Sequence, residues 1–273
     1  MNNADFGQNP EDWNAPVPYD TVFAPYSELL GRDAIRLSAL QAGQKVLDVG
    51  AGTGRLGFMA AEMGAEVLCV DFSQHMIDYM QARIEKEGTP NMRVALMDGH
   101  AMELDDDQFD ASYSVLGLML FADRIAGFRE MHRTLKPGGR AVVVNWSYPN
   151  RSQFMQLVGK ALATAAPEFA AAPPKPPSWV ALADPENFKA EMRQAGFSHV
   201  NVHTVSHVWT FDSPEVIWDS VTSFTPTLVP LLSKLSPEQN EALRTAYVQA
   251  IREEQKAPPF GMTAEARIGV GIK

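Results

Sequence analysis

The chain contains a single cysteine, Cys69, among 273 residues. One thiol excludes an intrachain disulfide, and Cys69 reads as a small core residue in a strand, in keeping with a reducing, cytoplasmic setting. No apolar run approaches the ~20 residues that cross a bilayer, so no membrane span is expected. The opening stretch Asn2-Asn-Ala-Asp-Phe-Gly-Gln-Asn-Pro10 lacks the basic and apolar regions of a signal peptide, which predicts no cleaved leader. Basic residues are also scarce, with 23 Lys and Arg against 33 Asp and Glu for a net charge of −10. Gripping a phosphate backbone needs a basic footprint, and no run of Lys and Arg supplies one, so nucleic acid is not an expected partner. The acidic run Glu103-Leu-Asp-Asp-Asp107 reads as a solvated loop. There is no internal repeat, and nothing in the sequence bears on oligomeric state. A small-molecule substrate is left as the expected partner.

At 45% hydrophobic residues the chain can build one α/β domain with an elaboration. Strand patterns fall at 45–49, 66–70, 92–97, 109–115 and 140–146, with helical patterns at 55–63, 74–86 and 122–135 between them. This alternation implies right-handed crossovers and a parallel sheet with helices on both faces. A helix near 185–195, a strand near 198–211 and a last strand near 265–272 complete seven strands. The predicted fold is therefore a Rossmann-like, seven-stranded, mostly parallel sheet with a mainly helical lid. The expected division is an N-terminal lid segment (1–40), a cofactor-binding core (41–149), a lid insertion (150–182), a core continuation (183–211), a helical lid insertion (212–258) and a final core strand (259–273).

The most informative stretch is Lys45-Val-Leu-Asp-Val-Gly-Ala-Gly-Thr-Gly54. Strand formers stop at three glycines in alternate positions, Gly50, Gly52 and Gly54, and a helical pattern starts at Arg55. Such a turn brings bare backbone against a ligand. The helix that follows points its unpaired N–H groups and positive dipole end into the turn. Residues 52–57 also fit the dinucleotide fingerprint G-x-G-x-x-G. That fingerprint places its first glycine directly after the strand, which makes Gly50 the first and puts Arg55 where the third should be. The register is wrong for a nicotinamide cofactor. Asp48 is unusual in its own right, because a carboxylate at a buried strand end needs a partner.

The run Val46–Gly54 resembles the first motif of the class I S-adenosylmethionine-dependent methyltransferases, and further matches follow in order. Strand 66–70 ends at Asp71, strand 92–97 at Asp98-Gly99, Phe109–Val115 resembles the fourth-strand motif, and Lys136-Pro-Gly-Gly-Arg140 leads into the fifth strand. The resemblance covers residues 42–147 closely. It is similar to the small-molecule branch of quinone biosynthesis and secondary metabolism, through the stretch Gly117–Asp123 and the Gly-Gly strand. It implies S-adenosyl-L-methionine as cofactor and a last strand antiparallel to the rest. By resemblance Gly50, Ala51, Gly52 and Gly54 pass under the methionine part, and Asp48 supports its amino group. Asp71 holds the ribose, Phe72 and Met76 lie near the adenine, and Ser73 caps the next helix. Asp98, Gly99, His100 and Ala101 line the adenine, while Ser114, Val115 and Leu116 face the sulfonium. The implied activity is methyl transfer to an O, C, N or S nucleophile of a small apolar or aromatic metabolite. A nicotinamide-dependent oxidoreductase and a non-catalytic S-adenosylmethionine-binding subunit stay open as alternatives.

Methyl transfer from a sulfonium needs mainly alignment and exclusion of water, with a base only for some nucleophiles. His100 is the best-placed candidate base, against a role in shaping the adenine loop; Tyr19 is an alternative, and Tyr26 is expected to close over the methionine end with it. No Asn-Pro-Pro-Tyr follows the fourth strand, and the cysteine trio of arsenite methylation is missing. His199, His203 and His207 share a spacing of four, but in a strand-like setting successive members stand ~13 Å apart, too far for one metal ion. His75 and His132 read as helix-surface residues. The lid segments carry Trp13, Phe23, Phe154, Met155, Phe169, Trp179, Trp209, Trp218 and Phe224, which either line an apolar pocket or form the lid's own core. The run Pro173–Pro177 is expected to be extended or turned. Ser213-Pro214, Ser236-Pro237 and Asp184-Pro185 each announce a helix with an N-cap followed by proline, and Gln239 completes a capping box with Ser236.

Overall fold

Alternating strands and helices from residue 45 onward assemble into one sheet in the computed structural model, which describes residues 7–22, 24–170, 178–225 and 228–273, with backbone alone at Ala24 and Phe224. Helices α1 (Pro16–Val22) and α2 (Ala24–Ser38) precede β1 (Lys45–Val49). Then follow α3 (Arg55–Glu62), β2 (Glu66–Asp71), α4 (Gln74–Glu87), β3 (Met92–Leu96), β4 (Phe109–Val115), α5 (Arg124–Thr134) and β5 (Leu135–Trp146). Beyond β5 come α6 (Gln153–Ala165), α7 (Pro167–Ala170), α8 (Pro185–Gln194), β6 (Ser198–Phe211), α9 (Pro214–Phe224), α10 (Val229–Leu232), α11 (Pro237–Glu254) and β7 (Phe260–Ile272).

The seven strands lie in the order β3-β2-β1-β4-β5-β7-β6. All neighbours run parallel except β7, which is antiparallel to both β5 and β6, as the resemblance implied. Four of the five residues of β1 are buried, because helices cover both faces of a central parallel strand. The strand order reverses between β1 and β4, and a crevice opens there at the carboxyl ends.

The three proline-led helices begin as expected. Asp184 accepts from the N–H groups of Glu186 and Asn187, Ser213 accepts from Val216, and Ser236 and Gln239 form the reciprocal capping box. Two strands are longer than the sequence suggested. β5 starts at Leu135 rather than 140, since Leu135 pairs with Phe109 across a register shift in β4. β7 starts at Phe260 rather than 265, where the buried alternation Phe260, Met262, Ala264 keeps it paired with the full end of β6. Phe23 and the proline run 173–177 lie outside the described residues.

Apolar burial falls into two clusters. One joins the sheet to its flanking helices. The other is built by α6, α9 and α11 over the ends of β6 and β7, and Trp146 touches both.

Candidate functional site

The turn after β1 is left-handed at all three glycines, with φ of +66°, +57° and +78° at Gly50, Gly52 and Gly54. Their surroundings differ. A Cβ on Gly50 would stand 3.3 Å from the Cα of Gly117, and one on Gly52 would stand 3.6 Å from the Tyr19 ring. Both face a cleft of about 880 Å³ at the carboxyl edge of the sheet. Gly54 turns the other way: its Cβ would meet the Met80 sulfur at 2.9 Å, inside the core. Gly54 thus has a packing reason to be glycine beside the expected place under a ligand. Gly57 has a similar task, since a Cβ there would collide with the Cys69 sulfur and hold α3 off β2.

Two acids border this turn, both buried. Asp71 ends β2, and its two oxygens accept from the backbone N–H of Gly52 at 2.8 Å and of Ser73 at 2.9 Å. Burial raises its pKa from 3.8 to about 6, against the pull of those N–H groups. Asp48, on β1, is 2% exposed and lines a smaller extension of about 370 Å³ beneath the turn, together with Ala51. Burial first, then the negative charge of Asp71, raises its pKa to about 7. Among the described residues no cation pairs with either acid, and the Cys69 thiol donates weakly to Asp48 at 3.9 Å.

Ser73 stands at the N-cap of α4, yet its buried hydroxyl makes no cap and finds no partner among the described residues. The loop's order comes instead from Asp71, which corrects the expected capping role. Phe72, Met76, Met97, Asp98 and Gly99 continue the cleft wall. His100 is tied at both nitrogens: Nδ1 lies 2.6 Å from Asp98 Oδ1, and Nε2 accepts from the Asp123 N–H at 3.3 Å. Its ring lies 4.6 Å from that of Phe121. With Nε2 an acceptor, Nδ1 carries the proton, and no nitrogen is left to take one from a substrate. Partial burial works against the Asp98 carboxylate, but the hydrogen bonds from His100 hold it below its ordinary range. Ala101 is exposed and does not reach the cleft wall.

After β4, Val115, Leu116 and Gly117 line the cleft, whereas Ser114 does not offer its hydroxyl to it. The Ser114 Oγ donates to the Val49 carbonyl at 2.7 Å and accepts from the Leu118 N–H at 2.9 Å, stitching the β4 loop to the end of β1. Leu116 adopts φ +62°, which is costly for a branched side chain and is found where a site demands it. A Cβ on Gly117 would come within 2.8 Å of the Gly50 carbonyl, so the two turns meet through bare backbone.

The N-terminal segment covers the cleft. Gly7, Gln8, Trp13 and Tyr19 line it, and the Trp13 and Tyr19 rings meet edge to face at 5.8 Å. Burial, then the charges of Asp71 and Asp20, push the Tyr19 phenol well above its ordinary pKa. That favours the protonated phenol near neutrality. Tyr26 is elsewhere: its hydroxyl donates to Ser220 at 2.9 Å, and its ring packs on Phe154 and Trp209 in the lid. A side chain committed to that cluster cannot close over a ligand at the glycine turn.

The lid aromatics divide. Trp209, Trp218 and Phe154 belong to the lid core and Phe169 and Met155 pack against it, while Tyr26, Trp146, Phe154, Met155 and Trp179 also line a second cavity. His207 pairs with Asp33 at 2.7 Å. The sequence reading missed Gly117, Phe121, Leu120 and Met97 as cleft residues, and Arg55 as a site residue; the glycine and aromatic just after a strand end were the available signals.

Residues 46–139 match a family described as Methyltransferase domain. A demethylmenaquinone methyltransferase of Thermus thermophilus is 33% identical over 177 residues, spanning 61% of this chain and 80% of that protein. An uncharacterized protein of Mycobacterium tuberculosis is 30% identical over 128 residues, and the chain spans just 45% of that protein's length. Among solved structures, phosphoethanolamine N-methyltransferase 2 of Haemonchus contortus, in complex with S-adenosyl-L-methionine, aligns with a TM-score of 0.59 at 18% identity. That alignment covers 100% of this chain and 60% of the other, and is a likeness of fold.

Proposed function

The chain belongs to the class I S-adenosylmethionine-dependent methyltransferases, and from that membership we propose that it methylates an O, C, N or S nucleophile of a small, apolar or aromatic metabolite. When bound, S-adenosylmethionine supplies an electrophilic methyl carbon on a positively charged sulfur. The observation that carries the reading is the pair of buried carboxylates, Asp48 and Asp71, beside a glycine turn with no cation of their own among the described residues. A ligand with an ammonium for Asp48 and ribose hydroxyls for Asp71 fits two such acids, and its positive charge favours their ionised forms.

An acid at the position of Asp71 would serve the ribose of either cofactor, but the turn itself fits a nicotinamide dinucleotide poorly. Its pyrophosphate would place negative charge beside Asp71, and the Gly52 N–H that an anion would use already donates to that carboxylate. In this reading the backbone of Gly50 and Gly52 supports the methionine part, and Asp48 supports its ammonium. Asp71 and the wall of Phe72, Met76, Met97 and Gly99 hold the nucleoside. Tyr19 and Trp13 exclude water, which an in-line displacement requires. In this reading neither His100 nor Tyr19 is the base, and an acidic nucleophile gives its proton to solvent before the cleft is covered. The relative's name as a demethylmenaquinone methyltransferase favours a quinone-type ring among the acceptors.

Calorimetry with S-adenosylhomocysteine and with NAD, followed by turnover of methyl-labelled donor against phenols, quinols, amines and thiols, tests the reading. Binding of the first and not the second, with transfer to one of the panel, is expected. Affinity for NAD alone would return the oxidoreductase, and donor affinity without any turnover the non-catalytic subunit.

A further inference from the structure

Gln8 lines the cleft with a side chain that carries both a donor and an acceptor, and no hydrogen bond joins its amide to any other described residue. Its backbone is fixed on either side. The Gly7 N–H donates to the Asp12 carboxylate at 2.7 Å, and the Trp13 indole N–H donates to the Gly7 carbonyl at 3.2 Å. Gly7 is buried with φ +89°, and a Cβ there would stand 3.2 Å from Leu120 Cδ1. On the other side Asn9 accepts from the Glu11 N–H and caps a 3-10 turn, Pro10–Trp13. A side chain presented from an ordered backbone loses less freedom on binding than one on a loose loop.

These anchors set Gln8 at the end of the cleft that the methyl-transfer reading gives to the nucleoside. Leu120, which packs on Gly7, precedes Phe121. The Phe121 ring lies against Gly99, where a Cβ would meet its Cζ at 2.5 Å, and 4.6 Å from the His100 ring. Glu11 comes within 3.8 Å of His75, the residue before Met76 on α4. The loop 7–13 therefore bridges two cleft walls, residues 120–122 and the start of α4.

The side chains at that end offer a base few donors. Phe72, Met76, Met97 and Phe121 are apolar, and Asp98 is an acceptor that hydrogen bonds from His100 keep ionised. His100 has both nitrogens engaged. An aminopurine presents a donor, its amine, next to an acceptor, its ring nitrogen, and a carboxamide matches that pair with two parallel hydrogen bonds. We propose that Gln8 binds the base of the methyl donor, its side-chain oxygen accepting from the 6-amine and its side-chain nitrogen donating to an adjoining ring nitrogen. The proposal rests on the methyl-transfer reading. It adds a donor-binding residue from the N-terminal cover, outside the residues 46–139 that match the family.

The test is calorimetry of the full-length protein with two ligands, S-adenosylhomocysteine and its analogue in which the base is purine without the 6-amine. Wild type is expected to bind the first more tightly. Gln8→Met, which keeps the length of the side chain and removes the amide, is expected to weaken S-adenosylhomocysteine about three- to tenfold. The analogue has already lost the amine bond, so it should be weakened less, and the preference for S-adenosylhomocysteine should fall at least about threefold. Gln8→Ala should lower the preference in the same way. Urea midpoints of both variants should match wild type, since the amide bonds to nothing described in the free protein. A variant that weakens both ligands by the same factor would show that Gln8 only shapes the cover, and that result overturns the proposal, as does unchanged affinity for S-adenosylhomocysteine. A wild type that does not bind S-adenosylhomocysteine overturns instead the reading on which it rests.

Discussion

Arg55 grips Asp20 through two nitrogens of its guanidinium: Nε donates to one carboxylate oxygen and Nη2 to the other, each at 2.9 Å. Nη2 also donates to the Asp20 carbonyl at 2.9 Å, and the Tyr79 hydroxyl reaches the same carboxylate at 3.0 Å. Arg55 is the first residue of α3, directly after the glycine turn, and Asp20 follows Tyr19 on α1. The residue that spoils the dinucleotide register thus has a positive task. It fastens the N-terminal cover to the turn and so holds Tyr19 against Gly52.

Loosening this clasp is expected to weaken donor binding. Arg55→Ala should reduce affinity for S-adenosylhomocysteine by ~1–2 kcal/mol, the range for a partly exposed charge-assisted pair. Arg55→Lys should recover part of that loss, since a point charge cannot replace a two-pronged fork. Calorimetry on both variants, with hydrogen exchange at residues 16–22, checks the idea. Equal affinity in all three proteins would mean that the cover does not bear on the donor.

Much of the fold could be read from the chain because its signals are local. Strand formers ending at Gly50, Asp71 and Asp98 fixed the carboxyl edge, and N-caps before Pro185, Pro214 and Pro237 fixed three helix starts. What could not be read depends on contacts between distant segments. Gly54 and Gly52 look alike in sequence, and Met80 on one side and Tyr19 on the other separate their roles. Tyr19 on α1 and Tyr26 on α2 are close in sequence, and Ser220, nearly two hundred residues away, decides that Tyr26 belongs to the lid. Ser114 follows the family position closely, yet a hydrogen bond to Val49 turns its hydroxyl inward.

Substitution of His100 should have a modest effect. Its two nitrogens tie Asp98 to the Asp123 loop, so His100→Ala is expected to loosen the adenine side and weaken S-adenosylhomocysteine by about three- to tenfold. Turnover at saturating donor and acceptor should stay within about threefold of wild type. A drop of ~100-fold or more in that rate would reinstate a proton-transfer role.

Gly57→Ala gives a stability test of the contact between α3 and β2. Replacing glycine by alanine inside a helix ordinarily gains up to ~1 kcal/mol. Here the new methyl would overlap the Cys69 sulfur and approach the Met92 Cε at 3.0 Å. Overpacking of this kind costs about 1–3 kcal/mol, so the net sign is destabilising. Pairing the change with Cys69→Ala removes the obstructing sulfur and should return part of the loss. Urea unfolding of the two single variants and the double measures it, and purely additive effects would show that the two sites do not touch.

The strongest pH signature comes from Asp48 and Asp71. In the free protein both pKa values are raised, to about 7 and about 6 from 3.8, so the folded state holds these protons more tightly than the unfolded state does. Stability from this source is fully present below pH 3.8 and is lost as pH rises through 6 and 7. The loss for Asp48 is on the order of 3 kcal/mol between pH 5 and 8. Asp48→Asn should flatten the stability profile across that window. Donor binding has the opposite slope, because a cationic ligand selects the ionised acids. Affinity for S-adenosylmethionine should therefore rise from pH 5 to 8, with protons released on binding at pH 6. S-adenosylhomocysteine, which lacks the sulfonium charge, should gain less over the same range. Calorimetry of both ligands in buffers of different ionisation enthalpy separates the two slopes. Pairing of the acids with a bound cation would be refuted by proton uptake, or by an affinity for S-adenosylmethionine that falls with rising pH.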